Sequence, residues 1–356
     1  MDEYIAFDSH KHYTLMERLN VRTEQVVLRR IEHSPGAIRQ ALAGCRPGTP
    51  VAVESIGSWY WIVEEIEQAG LRPLLVHPRK AKLMMGMINK TDKLDVHGLN
   101  RLQQNRTLPT VWIAPGELRD LRELTRTRLV LTRHRTRLKN RLTSSLAKYG
   151  LCVEGFSDSF GVGARRQWPR VVAKLPAQTA WTCRQLLEQL DLVCRQIAEH
   201  EKRQRRLIAI TPEMQLLQTL PGIGEILAPT ILLEVGDVGR FGSAEKFACY
   251  AGTTPRVHAS GGRTRYGKLR PDANRYLKWA LIEAGNTIAL HSGRQPARHV
   301  SQLYRRLRRR KNHAKAVGAV ARHLAEAVWW VLTKKEPYRD PNADWVCQEG
   351  VSAAET

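Results

Sequence analysis

The 356-residue sequence contains no apolar run of the about 18 residues that a membrane-spanning helix requires, which argues against a transmembrane protein. Its six cysteines (Cys45, Cys152, Cys183, Cys194, Cys249 and Cys347) are scattered and form no CxxC pair. That spacing excludes the usual zinc frameworks and reads as the reduced, structural thiols of a cytosolic protein. The start, Met1-Asp2-Glu3, lacks the basic n-region of a signal peptide. Acidic side chains are the minority: 34 Asp+Glu stand against 57 Lys+Arg, a formal charge of +23. An excess of that size implies a polyanionic partner, either nucleic acid or an anionic membrane surface. The length suggests two or three domains and is ample for sizeable cores.

The N-terminal third alternates short apolar runs with helical patterns. Tyr4 to Phe7 reads as a first strand ending in Asp8; His12 to Leu19 and Arg22 to Arg29 read as two more, forming a meander. Ala37 to Ala43 reads as a helix, and Val51 to Val53 as a buried strand ending in Glu54. A helix over Trp59 to Ala69, closed by Gly70, leads to a fifth strand at Leu74 to Val76. Asp92 and Asp95 follow at a spacing that puts both on one helix face. Three antiparallel strands, then helix, strand, helix, strand and helix, is the order of an α/β ribonuclease-H-like fold. Such a fold would gather Asp8, Glu54, Asp92 and Asp95. Clustered carboxylates hold Mg²⁺ (or Mn²⁺), and two such ions about 4 Å apart can clamp the attacking and leaving oxygens of phosphoryl transfer. Taken singly, Asp8 could be a strand-end turn residue and Asp92 an acid favoured by a helix dipole. Glu64, Glu65 and Glu67 read as solvated helix surface.

Pro109 and Ala114-Pro115-Gly116 mark the end of a first domain, residues 1–115. A second region, 116–210, is read as a coiled-coil or helical arm. Glu117 to Lys148 carries Leu124, Leu131 and Leu138 at heptad spacing, with Arg126, Arg128, Arg133, Arg135, Arg137, Lys139 and Arg141 between them. Thr179 to Ile208 repeats Leu186, Leu190, Val193 and Ile197 at steps of four and three. These helices could form an antiparallel arm, a dimerisation element or two helices of a bundle. The arginines could be a solvated face, although the scarcity of nearby acids favours a phosphate-facing one.

Residues 211–335 form the third region. Leu220-Pro221-Gly222-Ile223-Gly224 resembles the turn of a helix-hairpin-helix, in which Gly222 and Gly224 let backbone N–H groups approach a phosphate; a packing joint that touches no DNA fits the same pattern. Ser243, three residues before Lys246, reads as a helix N-cap. Arg256 to Lys278 holds seven basic residues (Arg256, Arg263, Arg265, Lys268, Arg270, Arg275 and Lys278) and a single acid, Asp272. Ser260-Gly261-Gly262 lies inside it, read as a flexible loop. A hydroxyl ringed by arginines could be a nucleophile or a phosphate-binding group; composition does not separate them. Arg308, Arg309 and Arg310 are a further candidate phosphate contact. The tail, 336–356, is polar and expected to fray.

These residues resemble the insertion-sequence family 110 transposases, relatives of the Piv DNA invertase. The resemblance rests on Asp8 with Lys11, on Val53-Glu54-Ser55 with Gly57, and on Lys90-Thr91-Asp92 with Asp95. Toward the C-terminus it rests on Pro221 to Gly224, Phe241 to Gly252, Pro255, Ser260-Gly261-Gly262 and Asn274. It implies a RuvC-like domain whose four acids bind Mg²⁺, and a C-terminal transposase domain whose nucleophilic serine would be Ser260. The implied reaction is DNA strand exchange through a phosphoserine intermediate, by a homo-oligomer acting in the bacterial cytoplasm. A noncoding bridge RNA would select the element-end and target DNA. One departure is Leu269-Arg270-Pro271-Asp272-Ala273-Asn274, where the family carries a basic Ser-Lys-x-Gly-Asn segment. Two competing classes are a metal-only nuclease, such as a Holliday-junction resolvase, and a non-catalytic nucleic-acid-binding protein; the complete set of acids argues against the latter.

Overall fold

The computed structural model describes residues 3–86 and 91–342. Lys90, Cys347 and the tail beyond residue 342 lie outside the described residues. The chain divides into two compact units, Met1–Ala114 and Pro115–Thr356.

The first unit is a mixed α/β domain. Its strands are β1 (Glu3–Ser9), β2 (Tyr13–Asn20), β3 (Gln25–Glu32), β4 (Pro50–Glu54) and β5 (Arg72–Val76). Its helices are α1 (Ala37–Ala41), α2 (Trp59–Gln68), α3 (Pro78–Met85) and α4 (Asp92–Gln104). The sheet order is β3-β2-β1-β4-β5, antiparallel across β3, β2 and β1 and parallel from β1 through β4 to β5. Central β1 and β4 are apolar at successive positions because helices cover both faces. Ile5, Phe7, Val51 and Val53 join Ile62 and Ile66 of α2 in one core. Ala6 and Ala52 meet Val96 and Leu99 of α4 in another.

Two local expectations shift. Strand β3 starts at Gln25, not Arg22, because Asn20 Oδ1 accepts hydrogen bonds from the N–H groups of Arg22 (3.0 Å) and Thr23 (3.2 Å). That closes a turn before the strand can begin. Glu65 is more than helix surface: its carboxylate accepts from the N–H groups of Gly36 (2.7 Å) and Arg39 (3.0 Å). It therefore caps α1 from the neighbouring helix, which Gly36 has no side chain to do.

Among its described residues, the second unit is helical apart from one hairpin. Its elements are α5 (Gly116–Ala147), the short α6 (Val162–Arg165) and α7 (Trp168–Val172), α8 (Ala177–Leu207), α9 (Pro212–Gln218), α10 (Leu227–Val235) and α11 (Ala244–Tyr250). Then come β6 (Pro255–Ser260), β7 (Arg263–Leu269), α12 (Arg275–His291), α13 (His299–Arg308) and α14 (His313–Lys334). The seam read on α5 and α8 is filled within the chain. Leu138, Leu142 and Leu146 pack with Leu190, Val193, Ile197 and the buried Trp168. Several basic residues of α5 are engaged internally, contrary to a wholly phosphate-facing row. Arg126 pairs with Glu234, Arg128 with Glu201 (2.6 Å) and Lys139 with Asp158 (3.7 Å). Arg133, Arg137 and Arg141 remain exposed, four residues apart along one stripe. The remaining helices enclose a core around Leu217, Ile231, Phe247, Leu281, Leu324 and Val328. The start of the tail does not fray: the N–H of Tyr338 donates to Thr219 Oγ1 (2.8 Å), and Asp340 accepts from the N–H of His299 (3.1 Å).

Candidate functional site

The first candidate site forms at the carboxyl end of β1. Strands β1 and β4 pair in parallel, Phe7 opposite Val53, so the next residues, Asp8 and Glu54, emerge side by side. Helix α4 begins after Thr91, whose hydroxyl accepts from Leu94 N–H (3.3 Å). Asp92 and Asp95 occupy its first turn, where the helix dipole favours negative charge. The buried Glu17 of β2 holds α4 in place by accepting from Asn100 Nδ2 at 2.9 Å.

Asp8 Oδ2 lies 3.2 Å from His10 Nε2, which is 3.3 Å from Asp92 Oδ2. Tyr13 donates its hydroxyl hydrogen to that same Asp92 oxygen at 2.9 Å, and the Arg30 guanidinium stacks 3.7 Å above the Tyr13 ring. Among the described residues, Asp8, His10 and Asp92 form a group whose ligand atoms all lie within 4.8 Å of one another. Glu54 and Asp95 border that group and are not members of it.

The electrostatics fit a cation. Burial pushes the Asp8 carboxyl pKa up; Asp92 and Asp95 push it the same way, against His10. Although Asp8 Oδ2 and His10 Nε2 are close, their geometry makes no hydrogen bond, and both atoms are buried without a hydrogen-bond partner. A buried polar atom without a partner is costly, and a metal ion would satisfy both. Carboxylates suit Mg²⁺ and Mn²⁺, while the imidazole adds a nitrogen donor less typical of Mg²⁺. Sequence reasoning does not single out His10 and Tyr13, although His10 lies inside the Asp8 motif. The i, i+2 spacing from Asp8 is the available signal.

The second candidate site is the β6–β7 hairpin. Ser260 is the last residue of β6, not part of a flexible loop. Gly261 (φ 55°) and Gly262 (φ 74°) make the two-residue turn, and Ser260 pairs with Arg263. Positive φ at both positions is what a type I′ turn demands, so the glycines are explained by the turn itself. The strands escape sequence reading because the hairpin has no buried face; every residue from Arg256 to Lys268 is exposed. Register sorts the side chains. Ser260, Arg263, His258 and Arg265 form cross-strand pairs on one face; Val257, Tyr266, Ala259 and Thr264 form the pairs of the other.

The remaining sequence candidates separate by role. Gly222 has φ +77°, and a Cβ there would lie 2.5 Å from the Ala284 carbonyl oxygen, so it is needed for the close approach of its turn to α12. Gly224 has open space around it. Ser243 is an N-cap, its hydroxyl accepting from Lys246 N–H at 3.3 Å. Asn274 caps α12, accepting from the N–H groups of Tyr276 and Leu277, both at 3.0 Å. Arg275 is exposed and donates to the Tyr276 hydroxyl (3.2 Å), and Arg270 is partly buried. Arg308, Arg309 and Arg310 are exposed at the end of α13.

Two family models match separate segments of the chain. A family model described as "Transposase IS116/IS110/IS902 family" matches residues 214–301, and the DEDD-type IS110 transposase model matches residues 5–150. The chain is 27% identical over 301 residues to a probable family 20 transposase of Pseudomonas aeruginosa, covering 82% of this chain and 86% of the relative. It is 24% identical over 299 residues to the transposase for insertion sequence element IS1328 of Yersinia enterocolitica, covering 83% and 87%. A shorter similarity, 30% over 139 residues, links it to the pilin gene-inverting protein of Moraxella bovis, covering 37% of this chain and 42% of that protein.

Proposed function

We propose, for a chain that belongs to the IS116/IS110/IS902 family of transposases, that strand exchange uses two sets of residues: the Asp8 cluster as a divalent-metal site and Ser260 as the nucleophile. The observation that carries the first assignment is the convergence of Asp8, His10 and Asp92, with two buried ligand atoms lacking hydrogen-bond partners. The strand order and the acids at the ends of β1, β4 and the start of α4 support a ribonuclease-H-like, RuvC-type reading of this domain. Asp8 and Asp92 would hold Mg²⁺ or Mn²⁺, with His10, Glu54 and Asp95 as the adjoining groups. What these residues would gain by holding such an ion is positive charge beside the phosphate oxygens. Tyr13, stacked under the Arg30 guanidinium, orients Asp92 through its hydroxyl.

The chemistry assigned to the serine balances simply. Ser260 Oγ attacks phosphorus, the Oγ–P bond forms, the phosphodiester P–O bond breaks, and the proton lost by the serine hydroxyl passes, directly or through solvent, to the leaving oxygen. A serine hydroxyl is a weak nucleophile at neutral pH. Arg263 and Arg265 share the face of Ser260 and are available to bind the phosphate and stabilise its developing charge. A metal-only nuclease, with water as the attacking group, is the second reading; it rests on the Asp8, His10 and Asp92 group alone. Strand exchange between an element-end duplex and a target duplex tests the assignment, and it must stop on chelation and resume on adding Mg²⁺ or Mn²⁺.

A polyanionic partner follows from the charge, and the family resemblance implies which nucleic acids it would be. Element-end DNA, target DNA and a noncoding bridge RNA are the proposed ligands of the hairpin (Arg256, Arg263, Arg265, Lys268), of Arg270 and Arg275, and of Arg308 to Arg310. Each lost phosphate contact removes about 0.9 from the log–log salt slope on duplex DNA. Neutralising Arg308, Arg309 and Arg310 together is therefore expected to flatten the slope of the full-length protein. An unchanged slope would assign them to solvent. A protein that prefers no flanking transcript over random RNA would remove guided recognition.

Recombination must hold two duplexes, so a dimer or tetramer is the proposed assembly. Leu190 and Ile197 are occupied within the chain and are not available for it. Light scattering that shows a monomer even with nucleic acid bound would overturn this part of the reading.

A further inference from the structure

Glu234 is completely buried in a protein short of acids, and it lies at the foot of the Ser260 hairpin. Its carboxylate takes a fork from α5: Arg126 Nε donates to Oε1 at 2.7 Å and Nη2 to Oε2 at 3.0 Å. Asn274 Nδ2 donates to the same Oε2 at 2.7 Å, and lies 3.2 Å from the Tyr250 hydroxyl. Arg122 completes the joint by donating to the carbonyl oxygens of Leu233 (2.8 Å) and Glu234 (3.1 Å) at the end of α10.

The residues joined to Glu234 are those that bracket the hairpin. Tyr250 ends α11 just before β6, and Asn274 caps α12 just after β7. Their backbones are joined as well, Asn274 N–H donating to the Tyr250 carbonyl at 2.9 Å. Further out, Arg270 N–H donates to the Thr254 carbonyl at 3.1 Å. A Cβ on Gly252 would fall 2.6 Å from Ala273 Cβ, so the two legs touch. Beyond that foot the hairpin is exposed throughout. A two-stranded hairpin has little stability of its own, so its direction must be set where it is anchored.

We propose that Glu234 is the positioning residue of this hairpin: by bridging Arg126 on the long helix α5 to Asn274, it fixes where the tip bearing Ser260 projects. The carboxylate is suited to this because it is dry, bidentate toward Arg126 and still able to accept from Asn274. The alternative, that Glu234 merely neutralises buried arginines, leaves the contact with Asn274 without a purpose, because Asn274 would cap α12 equally well through Oδ1 alone.

Positioning by Glu234 stands on these contacts; its effect on chemistry rests on the assignment of Ser260 as nucleophile, and the experiment separates the two. A nitroxide is introduced at position 264 through a site-specifically incorporated unnatural side chain in the full-length protein. Glu234→Gln is expected to raise the mobility of that label and to slow covalent adduct formation on a nicked DNA substrate by about 10²-fold, the scale of a reacting group misplaced by about 1 Å. Leu281→Ala, a core truncation in α12, is expected to lower the melting temperature while leaving label mobility and adduct rate per folded molecule unchanged. An immobile label in Glu234→Gln, or an equally mobile one in Leu281→Ala, overturns the proposal. A mobile label in Glu234→Gln, with no adduct even from the wild type, keeps the positioning role and overturns the serine assignment. If Glu234→Gln does not fold, Asn274→Ser carries the same readings, because serine retains the helix cap but is too short for the bridge.

Discussion

Replacing Asp8 or Asp92 by asparagine is expected to lower strand exchange by at least about 10³-fold, since a metal site supplies several kcal/mol of charge stabilisation and about 1.4 kcal/mol is a factor of ten. Asparagine preserves volume and removes the charge, so the loss reports ligation and not packing. The fold supplies the control. Burial and the neighbouring Asp92 and Asp95 all act against the charge on Asp8. In metal-free protein, Asp8→Asn should therefore melt no lower than wild type. Isothermal titration with Mn²⁺ reads the site directly: wild type should bind and both variants should bind far more weakly. Full strand exchange by either variant would remove the cluster from catalysis. A lowered melting temperature together with unaltered Mn²⁺ binding would reduce Asp8 to a structural residue. His10→Ala distinguishes its two possible parts. As a ligand it should weaken Mn²⁺ binding; as a neighbour that only balances charge it should leave the affinity nearly unchanged.

Ser260→Ala is expected to abolish the covalent protein–DNA adduct formed on a nicked suicide substrate, while leaving DNA and RNA binding intact. The residue is exposed at a glycine turn, so truncation should change stability by no more than about 0.5 kcal/mol. In wild-type protein the modified peptide should contain Ser260. Ser243→Ala is the matched comparison. It removes an N-cap, costing about 1 kcal/mol, yet should retain the adduct because its hydroxyl is engaged with the Lys246 N–H. Robust DNA cleavage by Ser260→Ala, without an adduct, would favour the metal-only nuclease with water as the attacking group. An adduct that persists in Ser260→Ala and maps to another residue would place the nucleophile elsewhere.

The amino-acid sequence by itself determined much of the framework around Asp8. Short apolar runs ending in Asp8 and Glu54 mark parallel strands buried on both faces, because a strand covered on both sides is apolar at every position. The spacing of Asp92 and Asp95 places them on one turn of α4, and the Ser243 cap is equally local. The leucine steps of α5 and α8 likewise announce two long helices. In each case the signal is a repeat matched to the geometry of the backbone, which the chain carries in a few consecutive residues.

What only tertiary structure decided involves side chains brought together from distant segments. His10 and Tyr13 enter the metal-type site because the β1–β2 turn folds them against Asp92, which is 79 residues from Tyr13. The hairpin carrying Ser260 lacks a buried face, so hydrophobic alternation could not reveal its strands; the pairing itself sorts serine with arginine and tyrosine with valine. Arg126 reads as one more cation in a basic row, yet Glu234, 108 residues away, takes it. Gly222 suggests a phosphate-binding turn, and the close approach of the Ala284 carbonyl supplies its reason. Local sequence encodes which elements form because their hydrogen bonds and periodicity are local. Which faces meet depends on burial and charge pairing over the whole chain, and that is where the buried arginines, the capping glutamate and the cluster around Asp8 acquired their roles.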